Sequence, residues 1–83
     1  MASNPGPTAI YTRPGCPYCT KIKELYNGKG WTYSEFVLGR NFTKPQFYNQ
    51  FGQGATFPQV LINGRVTGGC TETVKYLMEK KHL

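Results

Sequence analysis

A chain of 83 residues supports one small domain with one modest core, and 39% hydrophobic with 14% aromatic content excludes a disordered segment. Three cysteines are too few for a disulfide scaffold, and no stretch approaches the ~20 apolar residues of a membrane span. The net charge of +6 raises nucleic acid as a partner, but the basic residues form no dense run and no groove-reading motif accompanies them; steering of small anions or acidic proteins is the expected use.

Residues 1–7, Met-Ala-Ser-Asn-Pro-Gly-Pro, lack the charged and apolar regions of a secretory signal and read as a flexible leader to a single domain over 8–83. The expected compartment is the reducing cytoplasm, where a surviving cysteine pair is more often catalytic or metal-binding than structural. Thr8-Ala9-Ile10-Tyr11-Thr12 reads as a short strand. After Arg13-Pro14-Gly15, a helix is expected from Pro17 to about Asn27, with Ile22, Leu25 and Tyr26 on its buried face and Gly28-Lys29-Gly30 ending it. Residues 31–37, aromatic and β-branched, form the second strand, parallel to the first through a right-handed crossover. Thr43 caps a short helix to about Phe51, with Phe47 and Phe51 facing inward. Residues 56–62 and 65–67 are strands joined by Asn63-Gly64, a strong hairpin signal, and the apolar run Val60-Leu61-Ile62 suggests cover on both faces. Gly68-Gly69 leads into a last helix whose core stripe is expected to be Val74, Leu77 and Met78. The architecture is α/β: β-α-β-α-β-β-α, a four-stranded mixed sheet flanked by three helices.

Residues 16–19, Cys-Pro-Tyr-Cys, fall on the tight turn from the first strand into the first helix. Only a thiolate attacks a disulfide, and a free cysteine near pKa ~8.5 is mostly protonated at neutral pH. At the N-cap, Cys16 faces unpaired first-turn amides and the positive end of the helix dipole. The dipole supplies at most ~2 kcal/mol; a larger depression needs direct N–H bonds to sulfur, expected from Tyr18 and Cys19, with help from Arg13 or Lys21. Cys19, inside the turn, is expected to be more buried. One attacking and one resolving thiol are what a dithiol exchange cycle requires. A Cys3His zinc set completed by Cys70 and His82 is an alternative, but structural zinc ligands usually come as two short-spaced pairs, and these two are twelve apart. A purely structural disulfide would close a very short loop and constrain little of the unfolded chain.

Three motifs in order, Cys16-Pro17-Tyr18-Cys19, Thr56-Phe57-Pro58 and Gly68-Gly69-Cys70, resemble those of a dithiol glutaredoxin, over nearly the whole chain from Thr8. The resemblance implies a thioredoxin fold and a glutathione-dependent thiol–disulfide oxidoreductase. It implies Cys16 and Cys19 as the catalytic pair, no metal, a monomer, and disulfide-containing proteins such as ribonucleotide reductase as substrates. It implies glutathione contacts from Arg13, Tyr18, Thr56, Phe57, Pro58 in a cis bond, Gly69, Cys70, Thr71 and Glu72, with Lys44 or Gln46 as a further candidate. Backbone beside Phe57 would pair with the tripeptide as a short strand, and the amides of Cys70 and Thr71 would hold its γ-glutamyl carboxylate. Arg13 stands where the family usually has lysine, Phe57 where valine is usual, Glu72 where aspartate is frequent, and Ala55 where arginine is frequent. Cys70 is either a helix-start residue or a thiol open to glutathionylation. Two further alternatives are a redoxin reduced by thioredoxin reductase and a dimeric iron–sulfur module held through Cys16 and glutathione, which Pro17 disfavours.

Overall fold

The computed structural model describes residues 4–83. Seven elements run in the order β1 (Thr8–Thr12), α1 (Pro17–Lys29), β2 (Ser34–Val37), α2 (Lys44–Phe51), β3 (Gln59–Ile62), β4 (Arg65–Gly68) and α3 (Cys70–Glu79). The order is the one expected from the sequence. The sheet is arranged β2-β1-β3-β4, so the strand that leads into the cysteine turn lies at its centre. β1 pairs in parallel with β2, Ile10 opposite Glu35, and antiparallel with β3, Ile10 opposite Val60. At the hairpin, Asn63 (φ 54°) and Gly64 (φ 78°) are both left-handed, as a two-residue loop matched to strand twist requires.

Alternation along β1 and β3 sends Ile10, Val60 and Ile62 to one face, where Ile22 and Tyr26 of α1, Trp31 and Leu77 of α3 complete the core. Thr8 donates to the Gly6 carbonyl at 3.0 Å, so the buried Tyr26 hydroxyl donates to Thr8 Oγ1 at 3.0 Å. Burial pushes the Tyr26 hydroxyl pKa up, against the pull of that hydrogen bond. Asn63 N–H donates to the Pro7 carbonyl at 2.8 Å, which ties the segment before β1 to the hairpin. Of the leader expected over 1–7, residues 1–3 lie outside the described residues.

Four local expectations need correction. α1 runs one turn-fraction further, to Lys29, and stops where Gly30 (φ 72°) turns its N–H back to the Asn27 carbonyl. β2 begins at Ser34 rather than residue 31, because Trp31 N–H bonds the Tyr26 carbonyl at 2.9 Å and its ring packs edge-on against Tyr26 at 5.3 Å. β3 is covered fully on one face only: Val60 and Ile62 are buried, but Leu61 is half-buried. The eight residues of α2 reach only the Tyr11 end of that second face, where Tyr11 meets the rings of Phe36, Phe42 and Phe51 at 5.0–5.2 Å.

The fourth concerns α3, whose buried residues are Thr73 and Leu77, while Met78 is 61% exposed and Val74 half-buried. Thr73 displaces Met78 from the core because its hydroxyl is satisfied there, 2.8 Å from Thr67 Oγ1, so its burial leaves no polar atom unpaired. Apolar packing, not polar pairing, is the dominant stabilising term in this core. Leu77→Ala should cost about 2–5 kcal/mol and Tyr26→Phe about 1 kcal/mol, both read from urea unfolding midpoints. A larger loss for Tyr26→Phe would reverse that ranking.

Candidate active site

β1 delivers the chain to a turn at Gly15 (φ 72°), after which Cys16 takes the extended N-cap conformation (φ −101°, ψ 108°) and Pro17 opens α1. Cys16 and Cys19 form a disulfide, with Cα atoms 5.2 Å apart. The Cys19 N–H donates to Cys16 Sγ at 3.1 Å, so the sulfur occupies the place that a serine or aspartate oxygen takes at an ordinary N-cap. Of the two amides expected at this sulfur, the structure gives that of Cys19. Both cysteines are buried, Cys16 with 5% and Cys19 with 2% of its surface exposed, so the expected contrast in burial is slight. The N-cap position and the directed amide distinguish Cys16.

Two grooves flank the pair. One, of about 130 Å³, lies on the β3/β4 side and is lined by Tyr18, Thr56, Phe57, Pro58, Gly69, Cys70, Thr71 and Glu72. These eight are the glutathione contacts expected from the sequence apart from Arg13. The Phe57–Pro58 bond is cis. The Phe57 ring stacks on Phe47 of α2 at 4.1 Å, so its extra bulk over valine also serves the aromatic cluster under the groove. Tyr18 is exposed, with Lys21 Nζ 5.1 Å from its ring centre. At the start of α3, Glu72 Oε1 accepts the Gly69 N–H at 3.1 Å. Gly68 (φ 110°) permits this approach: a Cβ there would stand 2.8 Å from Glu72 Cβ. Neither Lys44 nor Gln46 lines this groove, and Gln46 Oε1 is engaged by the Thr43 N–H at 2.8 Å.

The other groove is larger, about 410 Å³, and lies on the β2 side; Cys16 and Cys19 both line it, together with Thr12, Arg13, Thr20, Lys23, Glu35 and Val37 among others. Arg13, the remaining glutathione contact expected from the sequence, thus lines the groove that both cysteines share. Lys23 Nζ pairs with Glu35 Oε2 at 2.9 Å, and the buried Thr12 hydroxyl donates to the same oxygen at 2.8 Å. Burial pulls the Glu35 pKa up, but the hydrogen bonds from Lys23 and Thr12 and the charges of Lys23 and Arg40 outweigh it and hold the carboxyl below its ordinary value. Thr12, Lys23 and Glu35 were not singled out in the sequence. The parallel register of β1 with β2 and the packing of α1 across them bring the three together, and no linear spacing shows it.

Burial, opposed by Lys21 and reinforced by Glu72, pushes the Cys70 thiol pKa up, which favours the inert thiol over a reactive one. The zinc alternative lacks a gathered donor set: among the described residues no three of His, Cys, Asp and Glu lie together as metal ligands. Among those residues, too, no helix is long and apolar enough to cross a membrane.

A mixed sheet in this order, a cysteine pair capping the first helix and a cis-proline beside it define a thioredoxin-like domain built around a redox-capable disulfide. The glutaredoxin family model matches residues 8–67, and the chain belongs to the glutaredoxin family. It is 33% identical over 63 residues to Glutaredoxin 3 of Escherichia coli (strain K12), covering 76% of each chain. It is 40% identical over 68 residues to the hybrid peroxiredoxin hyPrx5 of Haemophilus influenzae; this match covers 82% of the chain and 28% of that longer protein. A crystal structure of a buckwheat glutaredoxin–glutathione complex superposes with a TM-score of 0.76 at 25% identity, covering 95% of this chain and 74% of that one.

The depressed Glu35 carboxyl sets a pH dependence of stability. Its contribution is complete above the unfolded value near ~4.3 and is lost as pH falls through the lower folded value. Glu35→Gln should therefore destabilise the protein by about 1 kcal/mol at pH 7, and the gap to wild type should narrow steadily as the pH falls below the unfolded value. Urea unfolding across this range measures it.

Proposed function

We propose that this protein is a monomeric, cytoplasmic, glutathione-dependent thiol–disulfide oxidoreductase that reduces glutathione mixed disulfides and protein disulfides, with ribonucleotide reductase among its protein substrates. The observation that carries the reading is the Cys16–Cys19 disulfide with the Cys19 amide aimed at Cys16 Sγ. Family membership and the groove beside the pair support glutathione as the reductant. Backbone at Thr56, Phe57 and Pro58 would pair with the tripeptide. The first-turn amides of Cys70 and Thr71, which Gly69 leaves accessible, would meet a carboxylate at the positive end of α3. Glu72 would face its ammonium group, and Tyr18 would border the cysteinyl moiety.

In the monothiol route, the Cys16 thiolate attacks the glutathione sulfur of a mixed disulfide. The substrate thiolate leaves and takes up a proton, and Cys16 becomes glutathionylated. A second glutathione thiolate attacks that glutathione sulfur, releasing Cys16 and glutathione disulfide. In the dithiol route, Cys16 attacks a protein disulfide and forms a mixed disulfide with one substrate cysteine. Cys19 then loses its proton and attacks Cys16 Sγ, which releases the reduced substrate and leaves the intramolecular disulfide. Two glutathione molecules restore the dithiol. The N–H bond to Cys16 Sγ favours the thiolate needed in each first step and makes Cys16 the better leaving group when the second glutathione attacks its mixed disulfide.

Cys16→Ser should abolish both activities. Cys19→Ser should retain deglutathionylation of a small mixed disulfide and lose reduction of protein disulfides. Coupled assays with glutathione and glutathione reductase, run beside thioredoxin reductase, measure both and separate the two reductants. Equal loss in the two variants would overturn the assigned roles, and turnover with thioredoxin reductase alone would overturn glutathione as reductant.

A further inference from the structure

The last helix carries an apolar stripe that the core does not take up. Cys70, Val74 and Met78 stand four residues apart on α3 and so share one side of it, while Thr73 and Leu77 face the sheet. Val74 is half-buried and Met78 61% exposed. α1 packs alongside α3, and Tyr18 and Cys70, one from each helix, line the same groove beside the disulfide. Lys21 Nζ, 5.1 Å from the Tyr18 ring centre, also lies close enough for its charge to act on the Cys70 thiol. The stripe therefore borders a seam with α1 that begins at the active site and follows α3 for about 12 Å, at ~1.5 Å per residue. We propose that this seam is the docking surface for the substrate protein, and that it takes a segment presenting an apolar side chain flanked by carboxylates. The inference rests on the oxidoreductase reading given above and adds to it the surface that the partner covers.

Continuity and charge carry the argument. A protein disulfide-bonded to Cys16 covers the surface around Tyr18, which is exposed, and from the groove that Tyr18 shares with Cys70 the stripe continues along α3. Lys75 and Lys81 stand three residues before and three after Met78, which puts a cation on either side of its thioether. The Lys81 N–H donates to the Met78 carbonyl at 3.0 Å, so the chain leaving the helix stays beside that residue. Among the described residues the ion pair is Lys23 with Glu35, and neither Lys75 nor Lys81 is engaged in one. The carboxylates of α3 do not offset them. Glu72 is turned to the Gly69 N–H at 3.1 Å, and Glu79, five residues after Val74, falls on the other side of the helix from it. A second copy of the chain, also at +6, is repelled by these charges, whereas an acidic segment is drawn to them. Methionine is unbranched and polarisable and packs against side chains of varied shape, which suits a surface that receives more than one protein.

The test uses synthetic peptides, each with one cysteine held as a glutathione mixed disulfide and joined through a flexible Gly-Ser spacer to Asp-Leu-Asp, Asn-Leu-Asn or Asp-Ser-Asp. Each is made with the cysteine at either end, and the cysteine–glutathione disulfide serves as a substrate too small to reach the seam. At low ionic strength the wild-type protein should reduce the Asp-Leu-Asp peptide, in at least one chain direction, about fivefold faster in kcat/KM than the other two, the scale of one partly buried apolar side chain. Met78→Gln should remove most of that gain and Met78→Glu all of it, with turnover of the cysteine–glutathione disulfide unchanged in both. Val66→Gln, which removes a comparably exposed apolar side chain from β4, should leave the gain intact. Equal turnover of the three peptides by the wild type, or a gain that survives in both Met78 variants, would overturn the docking surface and leave the proposed reaction standing. So would an equal loss in Val66→Gln. Self-association of the wild type that Met78→Glu abolishes would give the seam to a second copy and overturn a substrate as its occupant. Turnover of no substrate, the cysteine–glutathione disulfide included, would overturn the reaction and the docking surface together.

Discussion

A single backbone N–H, that of Cys19, points at Cys16 Sγ from 3.1 Å, and the local architecture is what holds it there. Pro17 at the first helical position fixes the entry of α1 without wasting an amide, and Gly15 takes the left-handed turn that lets β1 run directly into the helix. The helix is kept in place by burial of Ile22 and Tyr26 against the sheet, so the stability of the core and the polarisation of the sulfur are coupled through one rigid element.

Because β1 is central, whatever emerges at its C-terminal end has neighbours on both sides. The two sides differ in chemistry. Towards β3 and β4 lie the rings of Tyr18 and Phe57, a cis-proline and the first turn of α3. Towards β2 lie the Lys23–Glu35 ion pair, the exposed Arg13 and both cysteines.

Much of the fold was legible in the sequence because its signals are local. Proline after Cys16, the glycines that end α1, the Thr43 cap and the Asn63-Gly64 loop each act within a few residues, and each produced the expected element. The misplaced details all depend on distant partners. Trp31 looks like strand until Tyr26 is available to pack on, and Met78 looks like core until Thr67 offers Thr73 a hydrogen bond. The eight residues lining the smaller groove were readable as motifs because they come in short runs. Thr12, Lys23 and Glu35 were not, since they sit on three elements and meet only through the register of a parallel strand pair and the packing of α1 across it. Arg13 shows the intermediate case: its residue type was noticed, but the neighbours it shares a groove with follow from the strand pairing.

The two grooves also have separate origins along the chain. Every residue named for the larger one falls between Thr12 and Val37, in the β-α-β half. All but Tyr18 of those around the smaller one fall between Thr56 and Glu72, in the hairpin and the helix after it. Substitutions in the first half therefore reshape the larger groove and, Tyr18 apart, leave the smaller one as it is, and the reverse holds for the second half. Two surfaces beside one disulfide are in this way encoded by separate stretches of chain, each open to change without the other.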